Sequence, residues 1–218
     1  MTTYQEFIAI YENGLPTAAS VEAVVNDHKG SDEYQLALIA DDYDRQKNTT
    51  IMEFEKMIHT MTGASVVDPY AANHKIPSNM FRRLNTQRNQ YSLGNGVTFN
   101  KHETKDKLGE DFDTELQKIG YAACIHSVAF GFWNLDKLKC FRLTEFAPMY
   151  DEETGALRAG VRFWQLTDNH PMNMWLYTED GYMRFSGASG KIKAKDTEFI
   201  PYKLKVKKTQ ADGEEIVE

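Results

Sequence analysis

The chain has 218 residues, 41% of them hydrophobic and 26% charged, with a formal net charge of −7. This is the composition of an ordinary globular protein, far from the disordered or collagen-like extremes, and its acidic balance argues against a protein coated in nucleic acid. The apolar runs are shorter than the roughly 18 residues of a membrane span, and Met1–Glu6 has neither a basic nor an apolar signal region, so a cytosolic product of one large or two small domains is expected.

In chain order, the first half punctuates like helices. Thr3 is placed to cap a short amphipathic helix carrying Tyr4, Phe7, Ile8 and Tyr11, stopped by Gly14 and Pro16. Ser20–His28 and Ser31–Lys47 read as two more, parted by Lys29 and Gly30, with Tyr34, Leu38 and Tyr43 of the second facing inward. Ile51–Met61 keeps Phe54, Met57, Ile58 and Met61 near one side and ends at Gly63, as a fourth helix would. After a loop marked by Pro69 and Pro77, Ser78 is a suitable N-cap for a helix Asn79–Leu93 with a narrow apolar stripe of Met80, Phe81, Leu84 and Tyr91. Gly94 is expected in the left-handed C-terminal position, and Asn95-Gly96 turns the chain into Val97–Phe99. A helix from about Glu110 to His126 places Glu110, Asp111 and Asp113 at the positive end of its dipole. It repeats Phe112, Leu116, Ile119 and Ala123 along a core-facing stripe.

After Gly131 the period becomes that of a strand. Lys139–Phe146 alternates Phe141 and Leu143 with Arg142 and Thr144, and the loop Asp151–Gly155 leads to a second strand, Leu157–Leu166, where Ala159, Val161 and Phe163 share a face. Asp180-Gly181 joins Trp175–Thr178 to Tyr182–Phe185 as a hairpin. Ser186–Gly190 is expected as a flexible loop, and Tyr202, Leu204 and Val206 alternate with Lys203, Lys205 and Lys207 as in a strand with one wet face. Helices first and antiparallel strands and hairpins later give an α+β class: one domain with a mainly helical part over 1–130 and an antiparallel part over 131–208, then an acidic tail over 209–218. The two cysteines, Cys124 and Cys140, are expected as buried thiols rather than a disulfide.

Searched for chemistry, the sequence returns little. The histidines are scattered, with no CxxC or HExxH spacing, so no metal and no cofactor is expected, and His126 reads as a hydrogen-bonded interior residue. Gly187–Lys191 faintly resembles a phosphate loop but lacks the four-residue interval between glycines and has Ile192 where Ser or Thr belongs. Asp41, Asp42 and Asp44, or Asp151 with Glu152, are candidate carboxylate pairs of the kind hydrolases use, though a helix end and a hairpin loop are ordinary places for solvated charge. One stretch stands out. From Pro69 to His102 there is no Asp or Glu, while Lys75, Arg82, Arg83, Arg88 and Lys101 make a local basic zone. With Asn79, Asn85, Gln87, Asn89 and Gln90 on the same helix, these groups suit phosphate oxygens or an acidic surface on a neighbouring subunit, the latter being favoured.

Several segments, in order, carry a family resemblance. Ala72–Pro77 before a polar helix ending Tyr91-Ser92-Leu93-Gly94-Asn95-Gly96-Val97, with Asp42-Tyr43 upstream, is the first. Ala129-Phe130-Gly131, Phe146–Asp151, Arg158–Trp164 and Trp175–Gly181 follow. Over roughly residues 40 to 185 this order resembles the portal proteins, or head-to-tail connectors, of long-tailed double-stranded DNA bacteriophages. The resemblance implies a structural virion protein without an active site, at the capsid vertex and assembled in the host cytoplasm. It would form a homo-oligomeric ring, typically of twelve, through which double-stranded DNA is packaged. Implied partners are the large terminase subunit, head–tail adaptor proteins, and capsid and scaffold proteins, with no membrane. The matching segments belong to the outer wing region, and nothing after Val206 reads as a long channel-lining stem helix. Two other readings stand beside this one: a free-standing interaction module that binds through its strand-rich half, and a hydrolase using Asp41, Asp42 and Asp44.

Overall fold

The computed structural model describes residues 2–11, 14–71, 75–100, 102–134, 137–202, 207–209 and 215–217. Helices α1 (Tyr4–Ala9), α2 (Ala18–Gly30), α3 (Asp32–Asp44) and α4 (Thr49–Glu53) come first, followed by the hairpin β1 (Met57–His59) and β2 (Ser65–Val67). Next are α5 (Met80–Leu93), α6 (His102–Leu108) and α7 (Phe112–His126), then β3 (Ala129–Trp133) and β4 (Leu138–Arg142). The remaining strands are β5 (Phe146–Tyr150), β6 (Leu157–Trp164), β7 (Met172–Tyr177), β8 (Tyr182–Gly187), β9 (Lys193–Ala194), β10 (Lys207–Thr209) and β11 (Glu215–Val217). Every strand pairing is antiparallel, and the class is α+β. Two compact units result, one of residues 32–144 and one of residues 1–31 with 145–218.

The second of these units is built on the sheet β5-β6-β7-β8-β9. Alternation places Ala159, Val161 and Phe163 on its buried face, in register with Met174, Leu176, Met183 and Phe185. Helix α2, capped by Thr17 rather than beginning at Ser20, lays Val21, Val24, Val25 and His28 against β5 and β6. The opposite sheet face carries a run of aromatic rings: Trp164 edge-on to Trp175, Trp175 stacked on Tyr182, and Tyr182 on Tyr202. Asp180-Gly181 forms the expected β7–β8 turn, with Thr178 N–H donating to Gly181 O at 2.9 Å. Gly160 is required in β6 because the Phe146 ring occupies the space a Cβ would take. The expected alternation at Lys203–Val206 lies outside the described residues.

In the unit of residues 32–144, α7 packs against α5, α3 and the β3–β4 ribbon. Its stripe of Phe112, Leu116, Ile119 and Ala123 is half-buried, while the fully buried positions are Ala122, Ile125 and His126. Gly120 lets α5 come close: a Cβ there would lie 2.5 Å from Leu93 Cδ1 and 2.6 Å from Asn89 Oδ1.

Several sequence expectations are corrected in this unit. Ile51–Met61 is not a helix: α4 ends at Glu53 and the chain enters the β1–β2 hairpin, pairing Met57 with Val67 and Ile58 with Val66. The apolar spacing fitted a helix, but β-branched Ile58, Val66 and Val67 around a Thr60–Gly63 turn, with Gly63 at φ 82°, favour paired strands. Helix α3 stops at Asp44 because Gln46 turns left-handed at φ 64°, with Lys47 N–H reaching Asp42 O at 2.7 Å and Gln46 N–H reaching Tyr43 O, a Schellman end without glycine. Its buried residue is Ala37, with Tyr34 and Tyr43 half-buried and Leu38 outward. Gly94 is right-handed at φ −60°, and the left-handed residue is Gly96 at φ 71°, set against the Asp113 carboxylate. The strand-rich part of the chain starts at Ala129 rather than after Gly131, and Lys139–Phe146 is two strands, β4 and β5, separated by a turn. Cys124 and Cys140 are free, as expected, but half-buried.

Candidate functional site

The basic residues sit on and beside α5. Ser78 Oγ accepts from Met80 N–H at 3.2 Å and its own N–H donates to Asn48 Oδ1 at 2.7 Å, which fixes the entry to the helix. The expected apolar stripe does not face inward: Met80, Leu84 and Tyr91 are exposed, and Phe81 alone is half-buried, edge-on to Tyr43. Instead α5 turns polar Asn85 and Asn89 to its neighbours. Asn89 Nδ2 donates to Gln117 O at 3.1 Å, Gln117 Nε2 donates to Leu93 O at 3.0 Å, and Asn85 is 9% exposed. Two anchored amides, Asn89 and Gln117, thus hold the helix by its polar side and leave its apolar side exposed.

The structure brings Arg82 and Arg83 together with Asn79, Thr86 and Gln87 around a shallow depression of about 270 Å³. All of these side chains are hydrogen-bond donors suited to phosphate or carboxylate oxygens. Arg88 stands apart, about 140° from Arg83 around the helix axis at 3.6 residues per turn. Lys75 is half-buried ahead of the helix, and Lys101 lies outside the described residues.

The carboxylate cluster on α3 is divided among structural tasks. Asp41 Oδ1 lies 2.9 Å from His126 Nε2 and 3.6 Å from Arg142 Nη1. Asp44 accepts from Tyr121 O–H at 2.5 Å, and Asp42 reaches Lys47 Nζ at 3.9 Å. Burial, then the Asp44 bond, pushes the Tyr121 phenol above its ordinary range. The sequence reading missed these α3–α7 ties. Their signal was an Asp pair three apart, about one turn of α3, opposite a Tyr/His pair five apart, about 1.4 turns of α7. His126 is the expected interior histidine: its side chain is 0% exposed.

The other candidates also serve the fold. Asp151 accepts from Thr154 N–H at 2.8 Å, Thr154 Oγ1 and Glu153 N–H, bonds that hold its carboxyl below the usual range, while Glu152 accepts from Thr3 Oγ1. At the phosphate-loop look-alike, Ser186 and Gly187 end β8 and a turn closes from Lys191 N–H to Ala188 O. Gly190 N–H there donates to Glu22 Oε1 at 2.8 Å. A carboxylate occupies the position a phosphate would need. Among the described residues, no group of three His, Cys, Asp or Glu is placed to hold a metal, and no helix is long and apolar enough to cross a membrane.

What distinguishes the molecule is where its apolar side chains lie. Among the described residues, only Ile8, Ile10, Leu157 and Leu166 of the exposed large hydrophobic side chains fall outside residues 32–144. Inside that unit the exposed set includes Leu36, Leu38 and Ile39 on α3, Phe54, Met57, Ile58, Met61, Val66 and Val67 around the hairpin, and Met80, Leu84 and Tyr91 on α5. Among the described residues of that unit, the buried apolar ones are only Ala37, Ala122, Ile125, Phe130, Phe141 and Leu143. Both hairpin faces are exposed, and a two-stranded hairpin is marginal in water by itself. Full burial of a wholly exposed side chain of this size is worth roughly 1.5–3 kcal/mol, and contiguous exposed apolar area is a common feature of interaction surfaces.

Residues 27–214 match the family described as phage portal protein, SPP1 Gp6-like. The search of curated proteins gave no match.

Proposed function

The chain belongs to the SPP1 Gp6-like phage portal protein family, and on that premise we propose that it assembles with copies of itself into the ring at the capsid vertex. Its role is that of a structural portal component. In the proposed ring, double-stranded DNA passes through the central channel during packaging, the large terminase subunit docks on one side, and head–tail adaptor proteins bind after filling. The observation that carries this reading is the exposed apolar surface of residues 32–144, set beside so small a buried core in the same unit. Such a surface is costly in a monomer and stabilising between subunits.

Within that ring, Lys75, Arg82, Arg83, Arg88 and Lys101 are proposed to meet acidic or phosphate groups. Support comes from the Arg82–Arg83 depression and its amide donors. Hydrolysis by Asp41, Asp42 and Asp44 is disfavoured because Asp41 and Asp44 are committed to His126 and Tyr121.

Sedimentation velocity across a wide concentration range, with negative-stain microscopy of the heaviest species, tests the proposal. Closed rings are expected. A strict monomer at the highest concentration would rule out self-assembly by this chain.

A further inference from the structure

Two helices of the unit of residues 32–144 present exposed faces of opposite charge. On α5, Met80, Leu84 and Tyr91 follow one another at i, i+4 and i+11, a ridge of exposed apolar side chains in which Tyr91 is 95% exposed. Arg83 and Arg88, both exposed, stand about 140° apart around the helix, one on each flank of that ridge. No Asp or Glu occurs between Met80 and Leu93. On α3 the pattern returns with its sign reversed. Leu36, 64% exposed, and Ile39 make the ridge. Glu33 and Asp42, about 180° apart around the helix, make its flanks, and no Lys or Arg occurs between Asp32 and Asp44. Tyr43, the next residue along the ridge, packs edge-on to Phe81 of its own chain, so the free apolar ridge ends at Ile39.

Little of this charge is neutralised within the chain. Arg83, Arg88 and Glu33 make no ion pair among the described residues. Asp42, its side chain 40% exposed, has only the 3.9 Å approach of Lys47 Nζ. The ridges decide what kind of surface fits. A phosphate backbone would pair with the arginines but leave Met80, Leu84 and Tyr91 in water. An acidic surface with its own apolar centre covers both, and α3 carries such a surface on the same chain. Within one chain α5 meets α3 through Phe81, about 60–100° round the helix from the ridge residues. The α5 ridge therefore has to find its acidic complement on another copy.

We propose that the Arg83–Arg88 face of α5 in one copy packs against the Glu33–Asp42 face of α3 in the next, ridge on ridge and arginines against carboxylates. This rests on the self-assembly reading above and deepens it by naming the two mating surfaces. They are different patches of one chain, so the contact runs head to tail and repeats around a ring. Apolar contact between the ridges supplies affinity. The flanking charges set which face meets which, and they disfavour α5 on α5 or α3 on α3, where like charges would meet.

Charge reversal in separate chains, read by sedimentation velocity, tests the contact. One variant carries Arg83→Glu with Arg88→Glu, the other Glu33→Arg with Asp42→Arg. Each alone sets like charges face to face and is expected to weaken self-association at least about tenfold. Mixed in equal amounts, each variant meets its complement, and association should return to within about threefold of the parent. Leu36→Ser and Leu84→Ser should each weaken it as strongly, about tenfold, with no change of charge. Circular dichroism checks folding. Where a reversed form misfolds, the neutral pairs Arg83→Gln with Arg88→Gln and Glu33→Gln with Asp42→Asn carry the test, each expected to weaken association about threefold. A mixture no better than either variant alone would overturn this interface while leaving the assembly reading intact. So would loss with the α5 reversal and none with the α3 reversal, which would assign α5 to a polyanion. A parent chain that stops at a dimer would overturn the head-to-tail arrangement, and one that stays monomeric would overturn the interface and the assembly reading together.

Discussion

His126 Nε2 and Asp41 Oδ1 are 2.9 Å apart, joining the last turn of α7 to the last turn of α3 through an imidazole with no exposed side-chain area. The pair has the look of half a catalytic triad, but its surroundings are those of a structural tie: Tyr121 makes a parallel bond to Asp44 one turn away. Removing Asp41 would leave a buried N–H without an acceptor. Asp41→Ala is expected to cost about 1–3 kcal/mol in urea unfolding. Asp42→Ala, which loses only a 3.9 Å contact between exposed groups, should cost less than about 0.5 kcal/mol. Equal effects would mean the α3 acids are not differentiated as described.

A second expectation concerns the amides between α5 and α7. Asn85 is buried and its Nδ2 makes no hydrogen bond. Leucine matches its volume well enough to fill the site, so Asn85→Leu should stabilise the protein by about 1 kcal/mol. Asn89→Leu, which breaks the bond to Gln117 O, should destabilise it. Unfolding midpoints of the two variants moving in the same direction would contradict this assignment.

The α5–α7 approach makes a third case. Alanine is favoured over glycine in a helix interior by about 1 kcal/mol, yet at Gly120 the added Cβ would press on Leu93 and Asn89. Gly120→Ala is expected to lower stability by about 1–2 kcal/mol, because overpacking outweighs propensity. An increase in thermal midpoint would show that α5 can move away freely.

In the sheet unit, Arg184 grips Asp196 through Nη2 at 2.7 Å and Nε at 3.0 Å, with a further bond from the Arg184 backbone N–H at 2.9 Å. The guanidinium bonds, ahead of any other favourable cause, hold the Asp196 carboxyl below its ordinary value of 3.8. A depressed folded-state value means this stabilisation is present above pH 3.8 and is lost as pH falls from there through the lowered value. Stability measured from pH 6 to pH 2 should therefore fall less steeply at its acid end in Asp196→Asn than in the parent. Parallel curves would remove this pair from the acid sensitivity.

Much of the sheet was legible in the sequence because its determinants are local. Period-two alternation at Ala159–Phe163 and the Asp180-Gly181 turn specify faces and register without knowledge of the rest of the chain. Most of the helices were legible as elements, α6 excepted, but their faces were not. Met80, Leu84 and Tyr91 spell an inward stripe by the usual rule, and the helix turns them out because Asn89 donates to the Gln117 carbonyl of α7 and Asn85 is buried beside it on the polar side. The β1–β2 hairpin was misread for a related reason. Its apolar residues have the spacing of a core helix, yet among the described residues nothing buries them. The family was legible as an ordered set of segments, and the family match extends it over residues 27–214. The proposed assembly surface was not, since it is defined by what folding leaves uncovered.

That surface is the central claim, and hydrogen–deuterium exchange compared between assembled and dissociated protein tests it most directly. Amides of α3, the β1–β2 hairpin and α5 are expected to gain protection on assembly, with little change in the β6–β8 strands, which are already paired on both sides. Protection confined to residues 145–202, with Met57–Val67 and Met80–Leu93 exchanging equally fast in both states, would contradict it.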